Sequence, residues 1–456
     1  MLNAINPTTG ETLPPIASLD AAGALAAVEQ SASAYAHWRQ SDFNTRASLL
    51  RKVAALMRAE VEQLAPLMTQ EMGKPIKEAR AEVEKAAWCA EHYAEFAPEY
   101  LATETLASDA TVSFVQYQPL GPILGILPWN APFWLAFRFC APALMAGNTC
   151  LLKHDPHVPA CAAAIASVFA RAGAPEGVFQ NLPLANEEVA SVIRHPLVRG
   201  VSFTGSERAG GLVAATATGA IKPVVLELGG ADPCVVMADA DLDAAIPIIT
   251  LSRIINAGQS CIAAKRIIVE APIYEEVVAR LTAAMAKLKM GDPSLEATDI
   301  GPIARADLRD QLHRQVAATV ESGARCLLGG EIPQGPGFFY PPTLLADVTP
   351  TMVAAQEETF GPVMVVMRAA DEADAIRIAN DTPYGLAGSV WSRTDRAIEI
   401  AQQLETGQVA INGIVKTDPR LPSGGIKRSG IGRELGPHGI REFANAQQIW
   451  VGPKQD

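Results

Sequence analysis

The sequence predicts an α/β fold built from two parallel-sheet halves, and three observations support this prediction. Short apolar segments alternate with helical segments over most of the 456 residues. At roughly 150 residues per domain, this length fits two or three domains. The composition is 49% hydrophobic and 19% charged, which supplies a large core and excludes a disordered chain. We place the boundary between the halves near Gly229 and Gly230.

The N-terminal region is predicted to be helical. Apolar side chains recur at three- and four-residue spacing within Thr45–Pro98, with charged residues between them. Gly73 and Pro75 end one helix, because glycine tolerates a left-handed cap and proline cannot continue the helix. A second helix follows over roughly Ile76–Phe96. Residues 101–117 alternate more loosely between apolar and polar, which favours β-structure.

Short apolar runs predict the strands of both halves. These runs are Cys150–Lys153, Gly177–Asn181, Gly200–Phe203, Val224–Leu228, Arg266–Glu270, Arg325–Leu328, Val363–Met367 and Gly388–Trp391. The helical windows between them are Pro159–Ala172, Glu187–His195, Arg208–Ile221, Tyr274–Leu288, Leu308–Ser322, Glu372–Asn380 and Thr394–Leu404. Strands that alternate with helices in this way pair in parallel, with the helices as crossovers.

The charge balance and the cysteine content exclude several classes of protein. The chain has 37 Lys and Arg against 49 Asp and Glu, a net charge of −12. Binding to nucleic acid or to an anionic membrane surface requires positive fields and is therefore not expected. Seven cysteines without close pairs do not suit a disulfide scaffold, and the N-terminus has no signal-peptide character. We expect a reducing, cytoplasmic location.

One apolar run, residues 119–152, is long enough to span a bilayer. Prolines and glycines interrupt it repeatedly, and Arg138 stands in its middle, where exposure to lipid would be costly. We therefore predict that this run is buried core. No metal site is predicted either, because the sequence contains no H-E-x-x-H and no C-x-x-C.

Three segments place a reactive polar group among apolar and glycine residues. They contain an amide, a carboxylate at a strand end and a thiol in a tight loop: Pro128-Trp129-Asn130, Glu227-Leu228-Gly229-Gly230 and Asn256-Ala257-Gly258-Gln259-Ser260-Cys261. Three further segments follow the same order along the chain: Phe203–Ser206, Glu357–Pro362 and Pro422–Lys427. With all six segments in this order, the chain resembles the aldehyde dehydrogenase family over essentially its whole length.

The resemblance implies an aldehyde-dehydrogenase-like architecture with two Rossmann-like parallel-sheet domains and a small β arm. Residues 1–100 and 119–229 would form the NAD(P)-binding domain, and residues 230–435 the catalytic domain. Residues 101–118 and 436–456 would form the arm that pairs subunits into a homodimer or homotetramer.

The resemblance also implies a catalytic set. The Cys261 thiolate would attack the aldehyde to give a thiohemiacetal and then a thioester, and Asn130 with the Cys261 N–H would stabilise the oxyanion. Glu227 would be the general base for hydrolysis, and desolvation at the end of its apolar strand should raise its pKa. Two alternatives stay open: Asn130 caps a turn after Pro128, and Glu227 caps a helix or forms a salt bridge.

The other six cysteines are interpreted as packed small hydrophobic residues, the usual role of an intracellular thiol. They are Cys89, Cys140, Cys150, Cys161, Cys234 and Cys326.

A dinucleotide is the expected cofactor. Ser206 should open a helix whose positive end suits a pyrophosphate, and Gly205 and Gly210 allow close backbone approach. By resemblance, Lys153 contacts the adenine ribose and Glu358 the nicotinamide ribose. The remaining residues implied for this site are Trp129, Pro156, Leu228 and Phe360.

The choice between NAD and NADP stays open. Many NAD-preferring relatives carry Glu three residues after the position of Lys153, where this chain has Pro156. Without that carboxylate, repulsion of a 2′-phosphate is weaker. Asp155 is a possible substitute, but the sequence does not give the direction of its side chain.

The substrate hypothesis starts from Arg138, because a buried guanidinium needs a carboxylate or a similar partner. Its position matches the substrate-carboxylate arginine of succinate-semialdehyde dehydrogenases within the family, which implies oxidation of succinate semialdehyde to succinate. Arg253, three residues before Asn256, is the second candidate. The alternative for Arg138 is a structural ion pair with a core Asp or Glu.

Other functions remain open from the sequence. Another small aldehyde, such as glutarate semialdehyde or an aminoaldehyde, is one. A thiol hydrolase or acyltransferase without redox chemistry is a second, although no His lies within the six segments. A non-enzymatic protein on the same scaffold is a third.

Overall fold

The computed structural model of the chain describes residues 1–452. The helices within that range are α1 (Ala21–Trp38), α2 (Phe43–Ala59), α3 (Val61–Met72), α4 (Ile76–Tyr100), α5 (Pro132–Ala146), α6 (Pro159–Arg171), α7 (Val189–Arg194), α8 (Glu207–Gly219), α9 (Leu242–Ile254), α10 (Tyr274–Met285), α11 (Ala306–Glu321), α12 (Val353–Gln356), α13 (Glu372–Asn380), α14 (Thr394–Ala401) and α15 (Gly436–Arg441). The strands are β1 (Glu104–Thr105), β2 (Val112–Pro119), β3 (Pro122–Leu127), β4 (Thr149–His154), β5 (Phe179–Asn181), β6 (Gly200–Thr204), β7 (Val224–Glu227), β8 (Pro233–Val236), β9 (Arg266–Glu270), β10 (Arg325–Leu328), β11 (Thr343–Ala346), β12 (Val363–Ala369), β13 (Tyr384–Gly385), β14 (Ala387–Trp391), β15 (Gln408–Ile411), β16 (Ile426–Lys427), β17 (Gly430–Ile431) and β18 (Ala444–Val451).

The first sheet has six strands in the order β17-β7-β6-β3-β4-β5. The five strands from β7 to β5 are parallel, and β17 joins the edge antiparallel to β7, with Gly430 opposite Glu227. Because parallel strands end at the same edge, the residues at or just after the carboxyl ends of β3, β6 and β7 meet there. These residues include Asn130, Ser206 and Glu227.

The second sheet has seven strands in the order β10-β11-β12-β9-β8-β14-β15. Its strands are parallel except β10, which pairs antiparallel with β11. Gly229 and Gly230 lie between β7 and β8, where the chain passes from the first sheet to the second.

A third sheet, in the order β1-β2-β18, stands apart from both. β18 pairs antiparallel with β2 from Ala444–Pro119 to Val451–Val112. α15 precedes β18 and packs on α4 and α5, and its Ile440 belongs to the core of the first half. The last four residues of the predicted arm, 453–456, lie outside the described residues.

Two buried glutamates from the helical layer cap the helices that lead away from the first sheet. α5 and α6 both begin with proline and have no side-chain cap of their own. Glu82 of α4 accepts hydrogen bonds from the first N–H groups of α5, and Glu71 of α3 accepts those of α6, at 2.7–3.1 Å. Carboxylates at helix N-termini stabilise both the unpaired N–H groups and the helix dipole. α5, which carries Arg138, is thereby fixed to the helical layer.

The predicted strands and helices are largely confirmed, and the differences have physical reasons. The antiparallel pairing of β10 corrects the prediction that it is a parallel strand. β10 is an exposed edge, so Cys326 is exposed rather than packed, whereas the other five cysteines interpreted as packed are buried. The helix predicted to reach Ile221 ends at Gly219, because Ile221 adopts a left-handed backbone (φ 54°).

The described residues contain no helix whose length and apolar character would let it cross a membrane. Residues 119–152 form β3, α5 and β4 instead, and these are buried almost throughout. Within residues 1–452, no three His, Cys, Asp or Glu side chains are arranged to hold a metal ion.

Candidate active site

The predicted thiol follows a strained turn. Asn256, Ala257 and Gly258 adopt three consecutive left-handed conformations (φ 57°, 53° and 73°) directly after α9. A Cβ on Gly258 would collide with the carbonyl oxygen of Gly361, so only glycine fits there. Strain of this kind persists only where surrounding contacts enforce it.

Contacts from three directions enforce this turn. The Asn256 N–H donates to Glu78 Oε2 (2.7 Å), and Asn256 Nδ2 donates to the carbonyl oxygens of Asn130 (2.8 Å) and Gln259 (3.1 Å). The Gln259 side chain bonds back to the Asn256 carbonyl oxygen and accepts the Ala304 N–H (2.8 Å). The loop before Cys261 is therefore tied to the loop that carries Asn130.

The Asn130 side chain has hydrogen-bonding capacity that the chain itself leaves unused. Lys74 Nζ (2.9 Å) and Asn256 hold its backbone oxygen, while its Nδ2 donates one hydrogen bond to the Gln259 carbonyl oxygen (3.1 Å). The amide has a second N–H, and its buried Oδ1 has no partner among residues 1–452. Because Oδ1 accepts nothing, the alternative that Asn130 caps a turn is not supported.

Burial dominates the chemistry of the Cys261 thiol. It raises the pKa of Cys261 to about 12. The positive charges of Lys265 and Arg138 lower this pKa, and the negative charges of Glu358 and Glu227 raise it. Burial therefore favours the protonated thiol, whose proton must leave before the sulfur can act as a nucleophile.

Glu227 is a buried carboxylate at the end of β7. Burial raises its pKa to about 7, as the sequence predicts. Arg138 and Arg433 lower this pKa, and Glu434 raises it. Its Oε1 is buried and makes no hydrogen bond within the described chain, so this oxygen keeps unused capacity to accept one. The predicted alternative of a salt bridge is also present, since Arg138 Nη2 lies 3.4 Å from Oε2.

Arg138 lies in the same cluster but has partners from the chain itself. Its Nε donates to Glu434 Oε2 (2.5 Å), and Ser202 Oγ donates to the other oxygen of Glu434 (3.0 Å). The core ion pair that the sequence left as an alternative therefore exists, although its partner Glu434 was not predicted. In the sequence, Glu434 is marked only as a charged residue next to Leu435 and Gly436, close to the Pro422–Lys427 segment.

Arg253 does not join this cluster. Its guanidinium is fully buried and donates to the carbonyl oxygens of Val363 (2.7 Å), Thr359 (2.7 Å) and Gly361. These bonds fix the segment that follows Glu358. Arg253 is therefore not proposed as a substrate contact.

The residues predicted to bind the cofactor line the edge of the first sheet. Ser206 is the N-cap of α8, and its Oγ accepts the Ala209 N–H (3.4 Å). Gly210 of α8 approaches Leu228 so closely that a Cβ would stand 2.5 Å from the leucine side chain. Thr204, which ends β6, has a buried hydroxyl without a partner among residues 1–452. A helix N-terminus beside an unsatisfied hydroxyl fits the pyrophosphate of a dinucleotide.

A second group of these residues lies at the junction of the two sheets. The Glu358 carboxylate rests on Gly229 and accepts the Gly230 N–H (3.2 Å). The rings of Trp129 and Phe360 meet edge to face at 5.8 Å. Carboxylate oxygens and aromatic faces suit ribose hydroxyls and a nicotinamide ring, so this set also fits a dinucleotide.

The third group contains Lys153, the last residue but one of β4, which donates to Asn186 Oδ1. Asp155 accepts hydrogen bonds within its own loop, from the backbone N–H (3.0 Å) and the ring Nδ1 (2.6 Å) of His157. Both bonds are to Oδ1, so they tie Asp155 to His157.

Known proteins resemble this chain over nearly its whole length. A family model described as the aldehyde dehydrogenase family matches residues 1–449. A Synechocystis protein named probable succinate-semialdehyde dehydrogenase [NADP(+)] is 47% identical over 98% of this chain and 99% of its own. A succinate semialdehyde dehydrogenase [NAD(P)+] of Escherichia coli is 45% identical over 98% of this chain and 97% of its own. The crystal structure of succinic semialdehyde dehydrogenase from Streptococcus pyogenes with NADP+ superposes with a TM-score of 0.97, at 35% identity, over 99% of this chain and 100% of the other.

Proposed function

This chain belongs to the aldehyde dehydrogenase family, and from that premise we propose that it oxidises succinate semialdehyde to succinate. As a family member it is an NAD(P)-dependent oxidoreductase, and relatives named for this activity use NADP or either cofactor. The observation that carries the substrate assignment is Arg138, a guanidinium 3% exposed that lies 3.4 Å from the proposed base Glu227.

The proposed first step is attack of Cys261 sulfur on the aldehyde carbon. Because burial keeps the thiol protonated, its proton must pass to a base as the S–C bond forms. Water takes this proton to solvent, and Glu227 stays available as the base of the last step. The product is a thiohemiacetal on Cys261.

Two N–H donors are proposed to stabilise the negative oxygen of this intermediate. One is the N–H of Asn130 Nδ2 that Gln259 leaves free, and the other is the Cys261 backbone N–H, which makes no hydrogen bond within residues 1–452. Each donor of this kind stabilises the transition state by on the order of 3 kcal/mol. When bound, NAD(P) supplies the hydride acceptor. Oxidation leaves a thioester on Cys261.

Hydrolysis of the thioester completes the proposed reaction. Glu227 in its ionised form takes a proton from water, whose oxygen attacks the thioester carbon. The S–C bond then breaks, the proton held by Glu227 passes to the Cys261 sulfur, and the acid leaves. The unpartnered Glu227 Oε1 is the atom suited to hold that water.

Arg138 is proposed to hold the distal carboxylate of the substrate. Its present partners, Glu434 and Glu227, are both carboxylates, so a substrate carboxylate must share the guanidinium with them or displace one of them. A hydrogen bond to a charged group contributes about 1.5–3 kcal/mol, which corresponds to roughly 10- to 100-fold in kcat/KM.

The test compares succinate semialdehyde with butanal, which has the same carbon count and no carboxylate. We expect the wild type to prefer succinate semialdehyde by about 10- to 100-fold and Arg138→Met to lose this preference. Arg138→Lys is the matched control, because it keeps the charge without the planar fork and should retain part of the preference. Equal kcat/KM for butanal in the wild type, or a higher value for an aminoaldehyde, would overturn the assignment.

The same proposal extends to domains, assembly and location. Residues 1–100 and 119–229 would bind NAD(P), and residues 230–435 would carry the catalytic thiol.

The sheet β1-β2-β18 leaves apolar side chains exposed, including Trp450 and Val112, which suits pairing of subunits into a homodimer or homotetramer. All seven cysteines are unpaired, as a reducing cytoplasm would require. Elution as a 48.2 kDa monomer in gel filtration would contradict the assembly.

A further inference from the structure

Lys265 is a buried cation next to the nucleophile loop that no step above uses. Its side chain is 1% exposed. Its Nζ donates to the carbonyl oxygens of Ser260 (3.0 Å) and Cys261 (2.5 Å). The same nitrogen lies 3.2 Å from Glu358 Oε1, which also accepts the Gly230 N–H. One ammonium thus joins both peptide units around Cys261 to the segment that carries Glu358.

These contacts determine the direction of the Cys261 N–H. In a trans peptide the N–H points opposite to the carbonyl of the preceding residue. The Ser260 carbonyl oxygen points at Lys265, so the Cys261 N–H must point away from Lys265. That N–H is free of internal hydrogen bonds in the described structure, as an oxyanion donor needs to be.

We propose that Lys265 is a positioning residue that fixes the Cys261 peptide for oxyanion binding, supplies the positive charge that favours the thiolate, and locks the nucleophile loop to Glu358. The oxyanion part of this inference rests on the proposed function. Lys265 touches neither substrate nor reacting atom in this scheme, and it acts through the peptide it holds.

The electrostatics of the thiol support this role. Among the charges that lower the pKa of Cys261, Lys265 has the largest effect, ahead of Arg138. Nζ reaches Cys261 through its carbonyl oxygen rather than its sulfur, so the charge acts over a short distance without blocking the nucleophile.

The next residue provides a matched control. Arg266 is also almost fully buried and also donates to backbone carbonyl oxygens, but these belong to Ala231, Ile378 and Ala379, not to the nucleophile loop. A general effect of removing a buried cation should therefore appear in Arg266→Met as well as in Lys265→Met. A specific effect on Cys261 should appear only in Lys265→Met.

The experiment measures alkylation of Cys261 by iodoacetamide between pH 7 and 9, without aldehyde or cofactor, by mass spectrometry of the Cys261 peptide. We expect Lys265→Met to slow alkylation about three- to tenfold at each pH, because the thiolate becomes scarcer. We expect kcat for aldehyde oxidation to fall about 10²–10³-fold, the usual effect of losing an oxyanion donor. Arg266→Met should lower the melting temperature and leave the alkylation rate within twofold of wild type.

If Lys265→Met does not fold, Lys265→Gln takes its place, because the glutamine amide still donates to one of the carbonyl oxygens. Lys265→Gln lacks the positive charge and should therefore show the same slower alkylation. Lys265→Arg, which keeps the charge, should restore alkylation and only part of kcat. Wild-type alkylation and kcat in a folded Met or Gln variant would overturn the inference, and so would an equal loss in Arg266→Met. Alkylation needs no aldehyde, so the two proposals can fail separately. If the Lys265 variants are alkylated more slowly but the wild type does not oxidise succinate semialdehyde, the proposed substrate is rejected and the role of Lys265 at Cys261 is kept.

Discussion

Arg138 Nη2 lies 3.4 Å from Glu227 Oε2, and each side chain is only 3% exposed. The proposed substrate anchor and the proposed general base are therefore one electrostatic unit. Glu434 belongs to it as well, because it binds Arg138 and raises the pKa of Glu227. Removing one member of a buried charged group leaves the others uncompensated, so a change at one residue should be measurable at the others.

The first prediction concerns this coupling. Arg138→Met should raise the pKa of Glu227, because it removes the positive charge that favours the carboxylate. A smaller fraction of Glu227 would then be ionised at pH 7. In a plot of kcat against pH, the rising part should therefore move to higher pH. Butanal is the substrate for this measurement, because it needs no anchor. Glu434→Gln is the control in the opposite direction, because it removes a negative charge. The rise of kcat with pH should then move to lower pH. If it does not move, Glu434 and Glu227 are not coupled.

The second prediction is the pH dependence of the wild-type reaction when hydrolysis is rate-limiting. A general base works only when ionised, and the pKa of Glu227 is about 7. We expect kcat to fall about tenfold per pH unit below this value and to be level above it. Glu227→Gln should abolish this limb and accumulate the thioester. A limb that survives in Glu227→Gln would assign the ionisation to another group.

Most of both sheets was predictable because their strands are continuous apolar runs between helical windows. The predicted bounds of β9 and α13 agree with the structure residue for residue. α1 was missed because its small, alanine-rich sequence has few large apolar side chains to mark a buried face. The direction of β10 was not predictable, since it depends on which neighbour the chain meets rather than on local pattern.

The sequence predicts candidate site residues where they lie within motifs, but it does not predict the residues that hold those candidates in place. Glu434 bonds to Arg138 across 296 residues of sequence, and Lys265 acts through carbonyl oxygens that any residue type provides. Arg253 was considered for the substrate because it precedes Asn256 by one helical turn. Sequence spacing does not show in which direction the Arg253 side chain points from α9. In the structure it points toward Gly361.

The third prediction separates Arg253 from the substrate. Arg253→Met should lose three hydrogen bonds to the segment 359–363, which at about 1.5 kcal/mol or more each lowers stability by several kcal/mol. KM for the cofactor should rise, because that segment follows Glu358. The ratio of kcat/KM between succinate semialdehyde and butanal should not change. A lost preference in this variant, with cofactor KM unchanged, would return Arg253 to the substrate site.

The fourth prediction concerns cofactor choice. Pro156→Glu should raise the preference for NAD over NADP by about tenfold or more, because a carboxylate near the ribose repels a 2′-phosphate. Asp155→Ala is the control: Asp155 is bound to His157, so its removal should leave the preference unchanged. The measurement is kcat/KM for both cofactors at saturating aldehyde. A change of preference in Asp155→Ala would show that Asp155 faces the ribose.

The fifth prediction tests the covalent path itself. In the Glu227→Gln variant, turnover with succinate semialdehyde and cofactor should leave an acyl group on the protein, since acylation does not require the ionised base while hydrolysis does. Mass spectrometry of the acid-quenched protein should find that group on the Cys261 peptide. Cys326→Ser removes the exposed thiol, the one most open to adventitious labelling, and should leave the adduct unchanged. Cys261→Ser should give no adduct and no aldehyde oxidation, because a serine hydroxyl is a weaker acid and a poorer nucleophile than a thiol. An active serine variant would mean that the reaction does not pass through sulfur.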